Sequence, residues 1–300
     1  MNTSRLTSLF TSTFLSLALG MAASSACGEQ IAYEGFTYGS SPNLAGANGG
    51  SGWGGQWFKL SSIPTGVTTE GLSWPGLPTS VGSAFTAGFA SVDYTRYSRA
   101  IAPFTAPDDV VYVSFLFRPN VGFGVGGGLA FGTWENGMVV GLVPGSGKYG
   151  LSGFTGPSSL TSKSVAQNET VLLVASARKT AGNTITWSLH VNPSVGGSEP
   201  QTAAATMSIP GTALPQAVVL YNDGGYSTDE IRVATTWASA LGQLSEPCVG
   251  DLDGDGAVGG ADLGILLSDW GGDTAADLNN DDVVDGADLG MLLGAWGECA

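Results

Sequence analysis

The sequence predicts a mainly β fold, an antiparallel β-sandwich of about a dozen short strands, followed by a small helical module at the C-terminus. Residues 28–241 are rich in Gly and interrupted by Pro, and their apolar and aromatic residues fall in short runs of strand length. Residues 248–300 differ sharply, because they contain eleven Asp and one Glu but no Lys or Arg. With 300 residues, 43% of them hydrophobic, the chain is long enough for both units.

Charge and composition exclude several classes of function. The 25 acidic and 10 basic residues give a net charge of -15, which repels nucleic acid phosphates and anionic lipid. One His and three Cys leave too few ligands for a zinc site and too few partners for a Ser-His-Asp triad. We therefore expect no nucleic acid partner.

The N-terminus has the pattern of a secretory signal over residues 1–26. Arg5 lies in a short polar start, residues 14–23 are apolar, and small residues follow up to Ala26. This apolar stretch is too short to span a bilayer, and no later segment approaches the roughly twenty apolar residues that a membrane helix needs. We expect a secreted protein without a membrane span. Cys27 leaves a lipoprotein signal as an alternative, although Ser24 stands where such signals usually carry Leu.

The predicted strands of the body are apolar runs of five to nine residues. Residues 184–192 alternate strictly between apolar and polar side chains, which indicates a strand with one buried face. The other runs, which are more continuously apolar, cover 110–117, 170–177, 217–221 and 230–235. The sequence NDGG at 222–225 predicts a turn, with a third calcium site as the alternative. This spacing of strands favours two packed antiparallel sheets, as in a jelly roll.

Three stretches of the body resemble a known family. These are residues 31–57 (IAYEGFTYGSSPNLAGANGGSGWGGQW), 169–193 (ETVLLVASARKTAGNTITWSLHVNP) and 226–241 (YSTDEIRVATTWASAL). They are similar to secreted bacterial proteins related to the laminin-G-like and concanavalin-A-like jelly rolls. The resemblance implies one domain over 27–242 that binds sugar or protein, and it implies no reaction.

The acidic tail contains an internal repeat with an offset of 26 residues, DLDGDGAVGGADLGILLSDWG at 251–271 and DLNNDDVVDGADLGMLLGAWG at 277–297. Oxygen-bearing side chains recur at loop positions 1, 3, 5 and 12, the spacing with which an EF-hand loop surrounds Ca²⁺, with a backbone carbonyl at position 7. The predicted ligands of the first loop are Asp251, Asp253, Asp255, the Ala257 carbonyl and Asp262. Those of the second loop are Asp277, Asn279, Asp281, the Val283 carbonyl and Asp288, with Asp285 acting through water.

A short helix is predicted after each loop. Leucines and a Trp recur at i, i+3, i+4 and i+7, so each helix has one apolar stripe, and the two stripes are expected to bury each other. The stripes are Leu263, Leu266, Leu267 and Trp270 in the first repeat, and Leu289, Leu292, Leu293 and Trp296 in the second.

The duplicated loop and helix, with Asp at position 12, resembles a type I dockerin over 251–297. The resemblance implies two bound Ca²⁺ ions and a cohesin-like partner on a scaffold or cell surface. Loop positions 10 and 11, which help to choose the partner in that family, are Gly260–Ala261 and Gly286–Ala287 here instead of Ser-Thr. Ile265 and Met291, opposite the apolar stripes, are further candidate docking residues, the alternative being ordinary surface positions.

Two cysteines bracket this module, which is predicted over 248–300 after a linker at 243–247. If Cys248 and Cys299 form a disulfide, closing the loop removes roughly 4 kcal/mol of chain entropy from the unfolded state. An exported protein meets the oxidising conditions that such a bond needs.

Catalysis is the alternative to binding. Retaining glycoside hydrolysis needs two carboxyl groups about 5.5 Å apart, and no E-x-D-x-E run supplies them. The adjacent pairs Asp108–Asp109 and Asp229–Glu230 are expected on opposite strand faces. Isolated glutamates that could still converge in space are Glu34, Glu70, Glu135 and Glu169.

Sugar stacking and core packing are the two interpretations of the body's tryptophans, with core packing favoured for each. These residues are Trp53, Trp57, Trp74, Trp134 and Trp237. We predict a secreted, non-catalytic protein whose sandwich binds carbohydrate or a surface component and whose tail binds Ca²⁺. A polysaccharide-degrading hydrolase and a structural surface protein are the alternatives.

Overall fold

The computed structural model describes residues 30–86, 94–106, 109–132, 137–154, 156–211, 213–243, 249–253 and 257–298. Within these residues thirteen strands form one continuous sheet whose pairs are antiparallel, and two short strands pair in the C-terminal region. Predictions that fall outside the described residues are the signal at 1–26, Cys27, Asp108, Trp134, Glu135, Cys248, Asp255 and Cys299.

The bounds of the elements follow the chain. The strands are β1 (Gln30–Glu34), β2 (Phe58–Lys59), β3 (Thr65–Thr68), β4 (Ser83–Thr86), β5 (Thr95–Ala100), β6 (Val110–Phe131), β7 (Met138–Leu142), β8 (Lys148–Gly153), β9 (Ser158–Ser164), β10 (Val171–Thr180), β11 (Thr184–Val191), β12 (Ala205–Pro210), β13 (Ala217–Ala234), β14 (Ala257–Val258) and β15 (Gly297–Glu298). The helices are α1 (Trp237–Ala240), α2 (Gly260–Ser268) and α3 (Gly286–Gly294).

Two long strands, β6 and β13, pair with each other and belong to both layers of a sandwich. The first half of β6 and the second half of β13 lie in a layer with β10, β11, β12, β1, β4 and β3. Their other halves lie in a second layer with β5, β2, β7, β8 and β9. β12 contacts β9 and β11 contacts β8 across the interior. The predicted antiparallel β-sandwich is confirmed.

The main core lies between the layers and draws on both halves of the long strands. Phe115 and Phe117 from the first half of β6 pack in the same buried cluster as Leu129 and Phe131 from its second half. Such mutual burial of apolar side chains is the main force that holds two sheets together. A second cluster covers the outer face of the first layer, where α1 packs against β6, β10 and residues 72–77.

Several details of the body differ from the sequence-based prediction. The turn predicted at 222–225 is wrong: these residues lie inside β13, where two register shifts bend the strand between the layers, and Gly224 has a φ of 91°. The alternation at 184–192 places His190 on the polar face of β11, and this face is covered at His190 by Trp237 of α1, with ring centroids 5.0 Å apart, so that His190 is buried. Trp57 and Trp237 are buried, as core packing predicts.

The C-terminal residues have a small core of their own. Leu266 and Leu292, one from each helix, are fully buried with Val258, Ala276 and Val284. The prediction that both complete stripes are buried is wrong, because only one turn of each nine-residue helix faces the other. Side chains from the second half of each stripe are about half exposed, namely Leu267 (52%), Trp270 (50%), Leu293 (53%) and Trp296 (50%).

Among the described residues no helix has both the length and the apolar character that crossing a bilayer requires.

Candidate functional site

The outer face of the second layer carries an aromatic patch, which we define as Tyr94, Phe154 and Tyr221. Tyr94 stacks on Tyr221 with centroids 4.2 Å apart, and Phe154 meets the Tyr221 ring edge-on at 5.4 Å. Tyr221 is largely buried by its neighbours, whereas Tyr94 and Phe154 remain half-buried. Burial, followed by the charge of Asp223, raises the pKa of Tyr94, so its hydroxyl stays protonated at neutral pH. The patch thus offers ring faces beside a hydroxyl donor.

A row of glycines explains how these rings lie close to the sheet. Tyr221 is opposite Gly128 of β6, Gly128 is opposite Gly141 of β7, and Gly141 is opposite Gly150 of β8. Residues paired across strands share one face, so the row is bare of side chains beside Tyr221. A Cβ on Gly141, where φ is 154°, would lie 2.1 Å from the Gly127 carbonyl oxygen, so the backbone itself requires glycine there.

Each described glutamate from the sequence analysis has a different basic partner. Glu34 is buried, forms an ion pair with Arg99, and also accepts from Trp57 Nε1 at 2.9 Å and Tyr38 Oη at 2.6 Å. The exposed Glu70 contacts Arg118 at 3.6 Å, and Glu169 contacts Lys163 at 2.5 Å. These three acids are therefore engaged in separate structural ion pairs.

The pair Asp229–Glu230 departs from the strand alternation. Both side chains are fully buried, because Glu230 adopts a φ of 54° at a register shift in β13. Glu230 accepts from Tyr33 Oη at 3.0 Å and Arg232 Nη2 at 2.7 Å. Asp229 accepts from the backbone N–H of Leu72 at 2.8 Å, and burial raises its pKa to about 8. The burial of both carboxyl groups accompanies this register shift, for which sequence periodicity offers no signal.

The first acidic loop brings three of its predicted ligands together. Carboxylate oxygens of Asp251, Asp253 and Asp262 lie within 4.8 Å of one another. Asp262 is buried and accepts from the N–H groups of Leu252 at 2.7 Å and Gly259 at 2.7 Å. Burial raises the pKa of Asp262, but these and further backbone N–H donors outweigh it and lower the pKa below its ordinary value. The carboxylate is ionised and fixed in direction, which suits a hard cation.

The second loop is arranged differently. Its group of converging acids is Asp273, Asp277 and Asp282, of which only Asp277 is a predicted ligand. Asp282, at position 6 of this loop, has a left-handed backbone conformation with a φ of 71°, which Asp tolerates better than most residues. Asn279 Nδ2 donates to Asp281 Oδ2 at 2.9 Å.

The remaining predicted ligands of this loop lie at the start of α3. Asp285 caps the helix by accepting from Ala287 N at 2.7 Å. Asp288 is buried and accepts from the N–H groups of Asp285 and Leu278, and such donors lower its pKa. An oxygen-only donor set is present in both loops, and it fits Ca²⁺ chemistry.

The two repeats hold each other in place. Val258 of the first loop pairs with Gly297 after α3, and Val284 of the second loop exchanges backbone hydrogen bonds of 2.8 Å with Gly271 and Gly272 after α2. Position 8 of each loop is thereby fixed by the end of the other repeat's helix.

The candidate docking residues of this module lie on its surface. Gly260, Ala261, Gly286 and Ala287 are exposed at the helix starts, Met291 is exposed, and Ile265 is half-buried. The exposed pairs Leu267/Trp270 and Leu293/Trp296 were assigned to the interior by the sequence pattern. A heptad-like spacing identifies an apolar stripe, but it does not show how much of that stripe a short partner helix covers.

Comparison with known proteins gives structural likeness only. No protein-family model matches the chain, and no curated protein matches it. An endo-1,3-beta-glucanase from Streptomyces sioyaensis aligns with a TM-score of 0.42 at 11% identity over 69% of this chain and 96% of that one. An endo-beta-1,4-glucuronan lyase from Trichoderma reesei aligns with a TM-score of 0.40 at 11% identity over 71% and 98%.

A third similar structure is domain 4 of AbnA, a GH43 extracellular arabinanase from Geobacillus stearothermophilus, in complex with arabinotriose. It aligns with a TM-score of 0.34 at 12% identity over 73% of this chain and 99% of that one. The sandwich assignment itself follows from the strand pairing and the core described above.

Proposed function

We propose that the chain is an exported binding protein whose C-terminal module folds around Ca²⁺ and whose sandwich binds a polysaccharide. The observation that carries the proposal is the convergence of Asp251, Asp253 and Asp262 within 4.8 Å. Three carboxylates this close repel one another unless a cation lies among them. Ca²⁺ would be held in the first loop by these acids with the Ala257 carbonyl, and in the second by Asp277 and neighbouring loop oxygens. The ion supplies positive charge to a module that has no Lys or Arg.

Calcium titration of the full chain tests this first part. We expect isothermal titration calorimetry to show Ca²⁺ binding that Asp253→Asn weakens at least tenfold, since one charged ligand is lost. Asp269→Asn, which removes the same charge from the end of α2 outside the loops, is the matched control and should bind as the wild type does. Equal losses in the two variants, or no binding heat, would show that the acids only form a solvated surface.

The aromatic patch supports the second part. Half-exposed rings beside hydrogen-bond donors are suited to sugar rings, whose apolar faces stack on aromatic side chains. We expect retention of the protein on one member of a panel of cellulose, β-1,3-glucan, arabinan and alginate. Tyr94→Ala should reduce retention, whereas Phe85→Ala, which removes an exposed ring of β4 in the other layer, should not.

The same incubations distinguish binding from reaction. Retention without new reducing ends or unsaturated products favours the non-catalytic binder. Release of reducing sugar by the wild-type protein would favour the hydrolase alternative. If the protein is neither retained on any polysaccharide nor releases sugar from one, the result favours the structural surface protein.

The exposed apolar pairs of the tail support a protein partner for this module. Large apolar side chains at the same position of both repeats form surfaces that suit docking, and the surrounding acids suit a basic rim on the partner. A cohesin-like module is the partner that we propose. Surface plasmon resonance with immobilised cohesin should show Ca²⁺-dependent binding that Leu267→Ser with Leu293→Ser weakens. Binding that is unchanged in EDTA would contradict the proposal.

A further inference from the structure

The short strand β2, at the edge of the second layer, carries two exposed apolar side chains on the same face as the aromatic patch. Phe58 is opposite Ser98 of β5, and it is 59% exposed. In the same ladder Leu60 N donates to the Arg96 carbonyl at 2.8 Å, and Leu60 is 55% exposed. Tyr97, between Arg96 and Ser98, is fully buried in the main core. Since neighbouring side chains of a strand alternate, Phe58 and Leu60 project from the outer face.

The strand pairing places Phe58 near the aromatic patch. β5 pairs with β13, where Ser98 is opposite Val219. In the next outward-facing row, Arg96 is opposite Tyr221 of the patch. Phe58 and Tyr221 are therefore two strand spacings apart across the sheet and one outward-facing row apart along it, which separates their backbones by about 12 Å. A single sugar ring is too small to contact both side chains, whereas an extended chain of sugars can do so.

We propose that Phe58 is a second stacking position and that the ligand is a linear polysaccharide chain, which lies across the strands and contacts Phe58 and the aromatic patch at the same time. This inference rests on the polysaccharide binding proposed above and names the form of the ligand. The polar side chains of Ser98 and Arg96 lie between the two aromatic positions on the same face, where they suit the hydroxyl groups of the chain. Exposed apolar side chains with a polar surround are typical of a binding groove.

The length of the sugar chain tests this arrangement. The probes are a monosaccharide and a hexasaccharide of the panel member that retains the protein: glucose with cellohexaose, glucose with laminarihexaose, arabinose with arabinohexaose, or mannuronate with hexamannuronate. NMR titrations of the full chain, followed at the resonances of the aromatic patch, give both affinities. Phe58→Leu keeps an apolar side chain but removes the ring. It should weaken hexasaccharide binding about fivefold, the effect of one aromatic contact, and leave monosaccharide binding at the patch unchanged.

Two further variants are the controls. Phe58→Tyr keeps the ring and should bind the hexasaccharide as the wild type does. Leu60→Ala removes an equally exposed apolar side chain from the same edge and should also bind it normally. If Phe58→Leu binds the hexasaccharide like the wild type, or if Phe58→Leu and Leu60→Ala weaken it equally, Phe58 is no stacking position, and this inference fails while polysaccharide binding stands. If no member of the panel retains the wild-type protein, the proposed function and this inference fail together.

Discussion

Asp229 is a buried carboxyl group whose surroundings favour its protonated form. Burial raises its pKa to about 8, while the unfolded chain should release this proton near pH 4. Protonation therefore stabilises the fold fully below about pH 4, and this contribution is lost as the pH rises through about 8. Asn cannot lose a proton, so Asp229→Asn should gain stability relative to the wild type as the pH rises, by up to about 1.4 kcal/mol per pH unit.

Urea unfolding at pH 5, 7 and 9 measures this difference. Asp269→Asn, in the C-terminal module, is the control for the loss of one negative charge. Its curve of unfolding free energy against pH should run parallel to that of the wild type. If the curves of Asp229→Asn and wild type also run parallel from pH 5 to pH 9, the buried carboxyl is ionised throughout and the interpretation is wrong.

The buried ion pair of Glu34 and Arg99 should be far more sensitive to mutation than a surface pair. Arg99 also donates to the Gly55 carbonyl at 2.8 Å and to Asn48 Oδ1 at 3.0 Å, so its substitution leaves these acceptors without that hydrogen bond. Arg99→Met should lower the free energy of unfolding by about 3–5 kcal/mol, because Glu34 stays buried without a counter-charge.

Lys179→Met offers the contrast, since Lys179 pairs with the exposed Asp109. We expect Lys179→Met to lower the free energy of unfolding by no more than about 1 kcal/mol. The double variant Glu34→Gln with Arg99→Met should recover part of the stability. If Arg99→Met and Lys179→Met lower the free energy of unfolding by similar amounts, the ion pair of Glu34 and Arg99 is hydrated and the interpretation is wrong.

Among the strands, β7 depends on a glycine that no side chain can replace. Gly141 has a φ of 154°, and a Cβ there would meet the carbonyl of Gly127 on the paired strand. Gly141→Ala should cost at least about 2 kcal/mol through backbone strain. Gly55→Ala is the matched control, because a Cβ at that position meets nothing within 4 Å, and it should change stability by no more than about 0.5 kcal/mol. Thermal melts measure the stability of both variants. If Gly141→Ala and Gly55→Ala lower the melting temperature equally, the backbone at position 141 does not require glycine.

Sequence periodicity predicted the straight parts of the strands but not their bends. The alternation at 184–192 identifies β11 almost to its ends, whereas the glycines at 224 and 225 suggested a turn that does not exist. Gly supplies the same conformational freedom to a turn and to a bulge, so only the partner strand decides between them. The burial of Glu230 is likewise associated with a register shift against the partner strand, which the sequence alone does not reveal.

The candidate sites were predictable to different extents. Local spacing was enough to place the acids of the first loop near one another, because the ligands of such a loop are neighbours in sequence. The aromatic patch joins residues 94, 154 and 221, which become neighbours only through pairing of distant strands.

The interlocked repeats and the sandwich have separate cores, and this separation has a consequence for unfolding of the entire chain. Cores without shared residues can melt independently, and the two loops are linked through Val258–Gly297 and Val284–Gly271. Scanning calorimetry should therefore show one transition that Ca²⁺ leaves in place and another that rises with Ca²⁺ and disappears in EDTA. Because the loops hold each other, Asp262→Asn should lower the calcium-dependent transition as a single step instead of splitting it. Two calcium-dependent steps would show that each repeat folds alone, and a shift of both transitions would show that the sandwich also binds the ion.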